Sequence, residues 1–198
     1  MQPSTLRAEP QGEACNPLDP WEAAWAPYEQ ATYEVVLSAV RPADIVLDIG
    51  AGDLRLARRL ACLARRVSAW ENQPAVLAQA PRPLPANLEV VCTDARTESP
   101  PPGVTVAVLL MRHCTHYGLY VHNLRQAKCR RLITNARWRM GVEVIDLGPG
   151  VPFARAGSGW YACRCCGATG FKGGNPAQIT AAQIEAVWDT EGCPACTQ

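Results

Sequence analysis

The first twenty residues hold no apolar run of the length that a secretory signal or a membrane helix needs; Pro3, Pro10, Pro17 and Pro20 stand among polar side chains instead. Residues 1–18 are therefore expected to form a flexible N-terminal segment, and the protein to be soluble and cytoplasmic, with no membrane partner. An excess of one charge is also lacking, and a formal net charge of +1 excludes a global attraction to nucleic acid. There is no internal repeat of fixed period and no low-complexity tract beyond proline-rich loops, so a repeat architecture is excluded.

What is present describes a globular protein. With 198 residues, 48% of them hydrophobic and 19% charged, the chain fits one core domain and a small appendage. Arg125, Lys128, Arg130, Arg131, Arg137 and Arg139 make a local basic stretch. Its simplest reading is a solvated face with strand flanks, and a concave surface would be needed to make it a nucleic-acid patch. Ten cysteines would mean disulfides in a small secreted chain, but no signal segment is seen and four of them form two C-x-x-C pairs. Metal binding in a reducing compartment is the better expectation. Cys62, Cys92 and Cys129 lie among apolar or helical residues and read as small core hydrophobes.

Along the chain, Asp19-Pro20-Trp21 reads as a helix start, with apolar residues at helical spacing to about Val40 and Pro42 as the stop. Strands are expected at 44–48, 67–70, 88–92, 104–111, 131–134 and 142–145. Helices are expected at 54–64, 73–80 and 119–128. Strands alternating with helices predict an α/β domain over 19–148, a mostly parallel sheet covered on both faces. At about Gly148 the alternation lapses and Gly, Pro and Cys become dense, so 149–198 is expected to be a separate small module.

In an open α/β sheet the ligand lies beyond the carboxyl ends of the strands, at the first strand-to-helix turn. Here that turn is Asp48-Ile49-Gly50-Ala51-Gly52-Asp53. Gly50 and Gly52 let backbone approach a ligand closely. A dinucleotide fingerprint wants a third glycine where Arg55 stands, which counts against a nicotinamide oxidoreductase. Glu71 ends the second strand and Asp94 follows the third; alone, each acid could be a helix cap or a surface group.

Together, Val46 to Asp53, Glu71 and Asp94 resemble the cofactor motifs of the class I S-adenosylmethionine-dependent methyltransferases, over roughly residues 30–146. Within that span the runs 45–57, 67–74 and 88–95 look most like the ribosomal-RNA adenine dimethyltransferase branch. The resemblance implies a Rossmann-like methyltransferase fold and S-adenosylmethionine as cofactor. It implies that Gly50, Ala51 and Gly52 back the methionine and ribose part, that Asp48 orders the turn and reaches the amino group, that Glu71 accepts from the ribose hydroxyls, and that Asp94 lies near the adenine amine. At Leu54 many members carry a further glycine, so a less close approach of the loop is expected.

After the fourth strand, amino-methylating members carry Asn or Asp, Pro-Pro and an aromatic; Arg112-His113-Cys114-Thr115-His116-Tyr117 has no such motif. His113 and His116 are the candidate catalytic residues, each able to take a proton from a nucleophile at neutral pH, though either could simply bond a loop carbonyl. Cys114 as a carbon-methylating nucleophile lacks the proline-cysteine context of such enzymes.

Cys163-Arg164-Cys165-Cys166-Gly167 and Cys193-Pro194-Ala195-Cys196 resemble the two knuckles of a zinc ribbon. Cys163, Cys166, Cys193 and Cys196 are the expected ligands of a structural Zn2+, with Cys165 surplus; a four-thiolate shell leaves no open position for catalysis. A redox dithiol or two disulfides are the alternatives. Residues 180–188 have helical spacing and are expected to dock the module on the core. Arg164, Lys172, Trp160, Tyr161 and Phe171 are available to contact nucleic acid or a protein partner, or to fill the module's own core.

The expected function is an S-adenosylmethionine-dependent methyltransferase of unassigned acceptor, with RNA the first candidate. The alternative is a binding or assembly protein that keeps a vestigial pocket and interacts through the zinc module.

Overall fold

The computed structural model describes residues 26–197, so the helix start at Asp19 lies outside the described residues. Helix α1 runs Gln30–Ser38 and ends before Pro42, which cannot continue a helix. The strands of the first sheet are β1 Ile45–Ile49, β2 Arg66–Glu71, β3 Leu88–Cys92, β4 Val106–Leu109, β5 Arg131–Thr134 and β6 Glu143–Asp146. Between them lie α2 Arg55–Ala61, α3 Pro74–Leu77 and α4 Tyr117–Gln126.

The order is β3-β2-β1-β4-β5-β6, the doubly wound order. β1 to β5 are parallel, and β6 returns antiparallel, with Ile145 opposite Leu132. Only a short 3-10 turn, Trp138–Met140, joins β5 to β6, too little chain for a parallel crossover. No helix joins β3 to β4, since Pro100, Pro101 and Pro102 remove three consecutive backbone donors there.

Alternate strand residues feed two cores. Val46, Val67, Val106 and Ile133 face Val36 of α1 and Leu56 and Leu60 of α2. Leu47, Leu109, Leu132 and Ile145 face Tyr120, Val121 and Leu124 of α4. Each fully buried aliphatic side chain contributes roughly 1.5–3 kcal/mol, so this period-2 pattern fixes the strand register. Of the three cysteines expected in the core, Cys129 is buried, whereas Cys62 and Cys92 are exposed. Cys62 directly follows α2 and Cys92 ends β3, where the chain turns toward solvent.

The second sheet, order β7-β10-β8-β9, comprises β7 Val151–Pro152, β8 Gly159–Cys163, β9 Thr169–Lys172 and β10 Val187–Glu191. β8 and β9 form an antiparallel hairpin, and β10 lies parallel to β8. The helix expected at 180–188 is corrected: α5 covers only Ala181–Glu185, begun by a Thr180–Gln183 capping box. Trp188 is a strand residue opposite Tyr161, and α5 buries no side chain.

Docking of the second sheet on the first falls instead to side chains of the basic stretch. Arg137, just past β5, is buried; it donates to both oxygens of Glu143 at 2.9 and 2.7 Å, to Asp189 Oδ1 at 2.6 Å and to the Ala162 carbonyl at 3.2 Å. Arg125 pairs with Glu191, and Arg164 donates to the Asp146 carbonyl at 3.0 Å. The Tyr117 ring lies so close to Gly167 that a side chain there would collide with it.

Arg137→Met is expected to lower the unfolding free energy by roughly 2 kcal/mol, below the ~3–5 of a fully buried pair because Glu143 and Asp189 keep some solvent. Urea denaturation measures it, and a change under about 0.5 kcal/mol, the scatter of ordinary surface substitutions, would show that the clamp is dispensable.

Candidate functional site

The carboxyl ends of β1, β2 and β3 bring Asp48, Glu71 and Asp94 to one edge of the sheet. The turn after β1 is held by β2: the amides of Gly50 and Ala51 both donate to the Trp70 carbonyl, at 2.8 and 2.9 Å. Glu71 then receives Gly52 N–H at 2.8 Å on one oxygen and Gln73 N–H at 3.0 Å on the other. One carboxylate thus joins the glycine turn to the start of α3. A carboxylate has about four acceptor sites, so two remain for a ligand hydroxyl pair.

Gly50 and Gly52 take left-handed backbone conformations, φ +71° and +58°, as does Leu54 at +65°. Leu54 therefore occupies a glycine-type position while its side chain is fully buried. The strain of order 1–2 kcal/mol in a left-handed leucine is offset by that burial, and the backbone follows the path a glycine would allow. Arg55, at the third position of a dinucleotide fingerprint, is turned onto Asp53, with Nε 2.9 Å from both carboxylate oxygens.

Asp48 is 3% exposed, and its Oδ2 meets no partner among the described residues. Burial, and after it the charge of Glu71, push its carboxyl up to about 7. A buried acceptor without a donor is costly. It fits a ligand that carries a cationic donor, and two adjacent acids disfavour a pyrophosphate. Asp94 differs: burial opposes its ionisation, but the Arg96 side chain and amide, bonded at 2.9 Å, outweigh this and hold it below the usual carboxylate range.

Met111, in the loop after β4, lies against Gly50, where any Gly50 side chain would collide with its terminal methyl carbon. Its flexible thioether covers the turn and must swing for a ligand to lie there. His116 directly precedes α4, and His113 is exposed on the same loop, with φ +60°. The two histidines thus share one loop on the edge that carries the acids.

The second cluster is Cys163, Cys166, Cys193 and Cys196, whose sulfurs all lie within 4.8 Å of one another. The separations are 3.5 Å for Cys163–Cys196, 3.5 Å for Cys166–Cys193 and 3.9 Å for Cys193–Cys196. Disulfide sulfurs would be about 2 Å apart. A tetrahedron with Zn–S bonds of about 2.3 Å has edges near 3.8 Å, so the set fits that ion. Burial disfavours the Cys163 thiolate, yet the amides of Cys166, Cys193 and Cys165 more than offset it and bring the thiol down to about 6. Cys165 points away to Arg125, at 3.5 Å.

No family model matches the sequence, and no curated protein matches it. Among solved structures, the 23S rRNA methyltransferase ErmE is similar over 54% of this chain and 46% of its own, with 25% identity and a TM-score of 0.45. The precorrin 8w decarboxylase of Methanobacterium thermoautotrophicum is similar over 57% of this chain and 65% of its own, at 18% identity and TM-score 0.48. For the DhpI–SAH complex the figures are 59%, 65%, 17% and 0.44. This chain therefore spans less than two thirds of each. The sheet order is the doubly wound, Rossmann-like one that the sequence implied.

Several site residues escaped the sequence reading. Met111 was placed at the end of the fourth strand and in the segment that follows it, but not over the glycine turn, and Arg137 only in a basic stretch. Asn135, at the end of β5, is fully buried, and neither polar atom of its amide meets a partner among the described residues. A polar residue directly after an apolar strand was the available signal.

With a folded-state pKa near 7 against 3.8, Asp48 holds a proton in the native state that the unfolded chain has released between those values. Its stabilising contribution is present at low pH and is lost as pH rises through about 7. Asp48→Asn should therefore gain stability relative to wild type as pH rises from about 5 to about 8, read as a growing difference in urea midpoint. A constant difference would show that Asp48 is not protonated in the native state.

Proposed function

We propose that the chain is a methyltransferase that uses S-adenosylmethionine, with RNA as the acceptor. The observation that carries the reading is Asp48, a buried carboxylate with an unused oxygen under a glycine turn, beside Glu71. When bound, the cofactor supplies an electrophilic methyl group. Gly50 and Gly52 would back its amino-acid and ribose part, Asp48 would accept from its ammonium, Glu71 from its ribose hydroxyls, and Asp94 from its adenine amine.

His116 and His113 are the proposed proton acceptors, on the loop past β4 where an acceptor atom would be aligned with the methyl group. RNA is supported by an aromatic row at this edge. Trp138 lies 5.7 Å from Trp160, which is 5.3 Å from Phe171, and Arg139 sits over Trp138 at 5.1 Å. The rings meet at 57° and 83°, and Phe171, 41% exposed, offers a face on which a base can stack. Tyr161 instead packs on Phe153, and Lys172 is spent on the carbonyls of Phe153, Ala154 and Ala156.

Calorimetry should find S-adenosylmethionine bound, with affinity reduced roughly 10- to 100-fold in Asp48→Ala and in Glu71→Ala, the cost of losing a hydrogen bond to a charged group. Labelled S-adenosylmethionine should then transfer label to an RNA fraction. Met111 over Gly50 favours the second reading, a binding protein with a closed pocket, and absence of cofactor binding would decide for it.

We further propose that the four-cysteine cluster holds one structural Zn2+, which ties the β8–β9 hairpin to the C-terminal turn. Mass spectrometry under native conditions should find one zinc per chain, lost together with cooperative unfolding of the module in Cys163→Ser. A metal-free wild-type protein with the same unfolding midpoint would refute it.

A further inference from the structure

At the amino ends of β4 and β5, opposite the glycine turn, a groove of about 670 Å3 runs to the start of the second sheet. Five cationic side chains and two acidic ones line it, more positive charge than the whole chain's net +1. Two of the cations are neutralised: Arg131 pairs with Asp44 at 2.6 Å, and Arg125 with Glu191. The remaining three, Arg41 from the turn before β1 and Lys128 and Arg130 from the α4–β5 loop, are exposed and make no ion pair among the described residues. The concave surface that the basic stretch needed is therefore here, and Arg41, 84 residues before Arg125, completes it.

We propose that this groove binds the phosphodiester backbone of the RNA acceptor, as an anchoring site away from the reacting atoms. The inference rests on the RNA reading above and names where the chain is held. Phosphate suits the site because guanidinium and ammonium groups from separate segments converge on one groove. Of the apolar lining, Cys129 and Leu147 are buried and Pro149 alone is exposed, and no aromatic residue is present to read a base or anchor a protein side chain. Binding is thus sequence-independent and electrostatic. β5 is four residues long, so the groove is about 13 Å from the acidic edge, far enough for the backbone to pass round the sheet without touching the cofactor.

The test is fluorescence anisotropy of a labelled single-stranded RNA with the full, zinc-loaded chain, between about 50 and 200 mM salt. Arg41→Ala/Lys128→Ala/Arg130→Ala should reduce affinity roughly tenfold or more at the lower salt, and the salt slope by about 2, near 0.7 for each lost phosphate contact. The urea midpoint and S-adenosylmethionine titration should not change, and Arg41→Lys/Arg130→Lys should retain binding. An unchanged slope in the triple variant overturns the proposal. Displacement of RNA by polyglutamate as efficiently as by unlabelled RNA overturns it in favour of an acidic protein partner. Full displacement by inorganic phosphate at constant ionic strength overturns it in favour of a small-anion site. RNA binding that follows the expected pattern without any S-adenosylmethionine binding would sink the methyltransferase reading and support the groove.

Discussion

A guanidinium buried beyond the end of β5 has to be neutralised, and the way Arg137 is neutralised joins the two sheets. Glu143, on the neighbouring edge strand, takes two of its hydrogen bonds; Asp189 and the Ala162 carbonyl, from the second sheet, take others. Neither sheet alone accepts all of its hydrogen bonds. Burial opposes ionisation of Arg137, and the Glu143 carboxylate outweighs it, so the group stays charged and the clamp stays polar. The second sheet is thereby held against α4, where Gly167 fits under the Tyr117 ring. Trp160 is brought beside Trp138 by the same docking.

At the other end of the candidate site, electrostatics works against the fold. Asp48 is buried beside Glu71, and burial first and then the charge of Glu71 raise the cost of ionising it. A sequence optimised only for stability would place an amide or an apolar residue at position 48. Violation of a local rule at the point where a glycine turn, a left-handed leucine and an unused acceptor meet is what a ligand site looks like before the ligand arrives.

Much of this was legible because the signals are local. A continuous apolar run ending in Asp-x-Gly-x-Gly specifies strand, turn and helix within a dozen residues, and β1 to β5 fall where expected. The knuckle spacing likewise singled out the four sulfurs that converge. What was not legible depends on distance along the chain. Arg137 and Asp189 are 52 residues apart, so a clamp looked like one more charge in a basic run. Thr180 did start a helix, but its end was misread, because Val187 and Trp188 suit a strand once β8 offers a partner. The reversed direction of β6 depends on the length of one connection, and Leu54 conceals a glycine conformation behind an apolar side chain.

A parallel sheet gathers all its carboxyl ends on one edge, and here that edge carries Asp48, Glu71 and Asp94 while Arg41, Lys128 and Arg130 stand at the other. A polyanion approaching such a sheet is drawn to the basic end. If the chain transfers a methyl group as proposed, the acids would suit a cationic cofactor but leave an RNA acceptor without electrostatic help. On the proposed reading that help must come from contacts indifferent to charge. The Trp138–Trp160–Phe171 row, past the carboxyl end of β5, would supply a stacking surface, and two of its three rings belong to the second sheet. The appended module then has a physical reason to be clamped rather than tethered: displaced by a few ångströms, it would leave the first sheet with a cofactor edge and no surface to present a base to it.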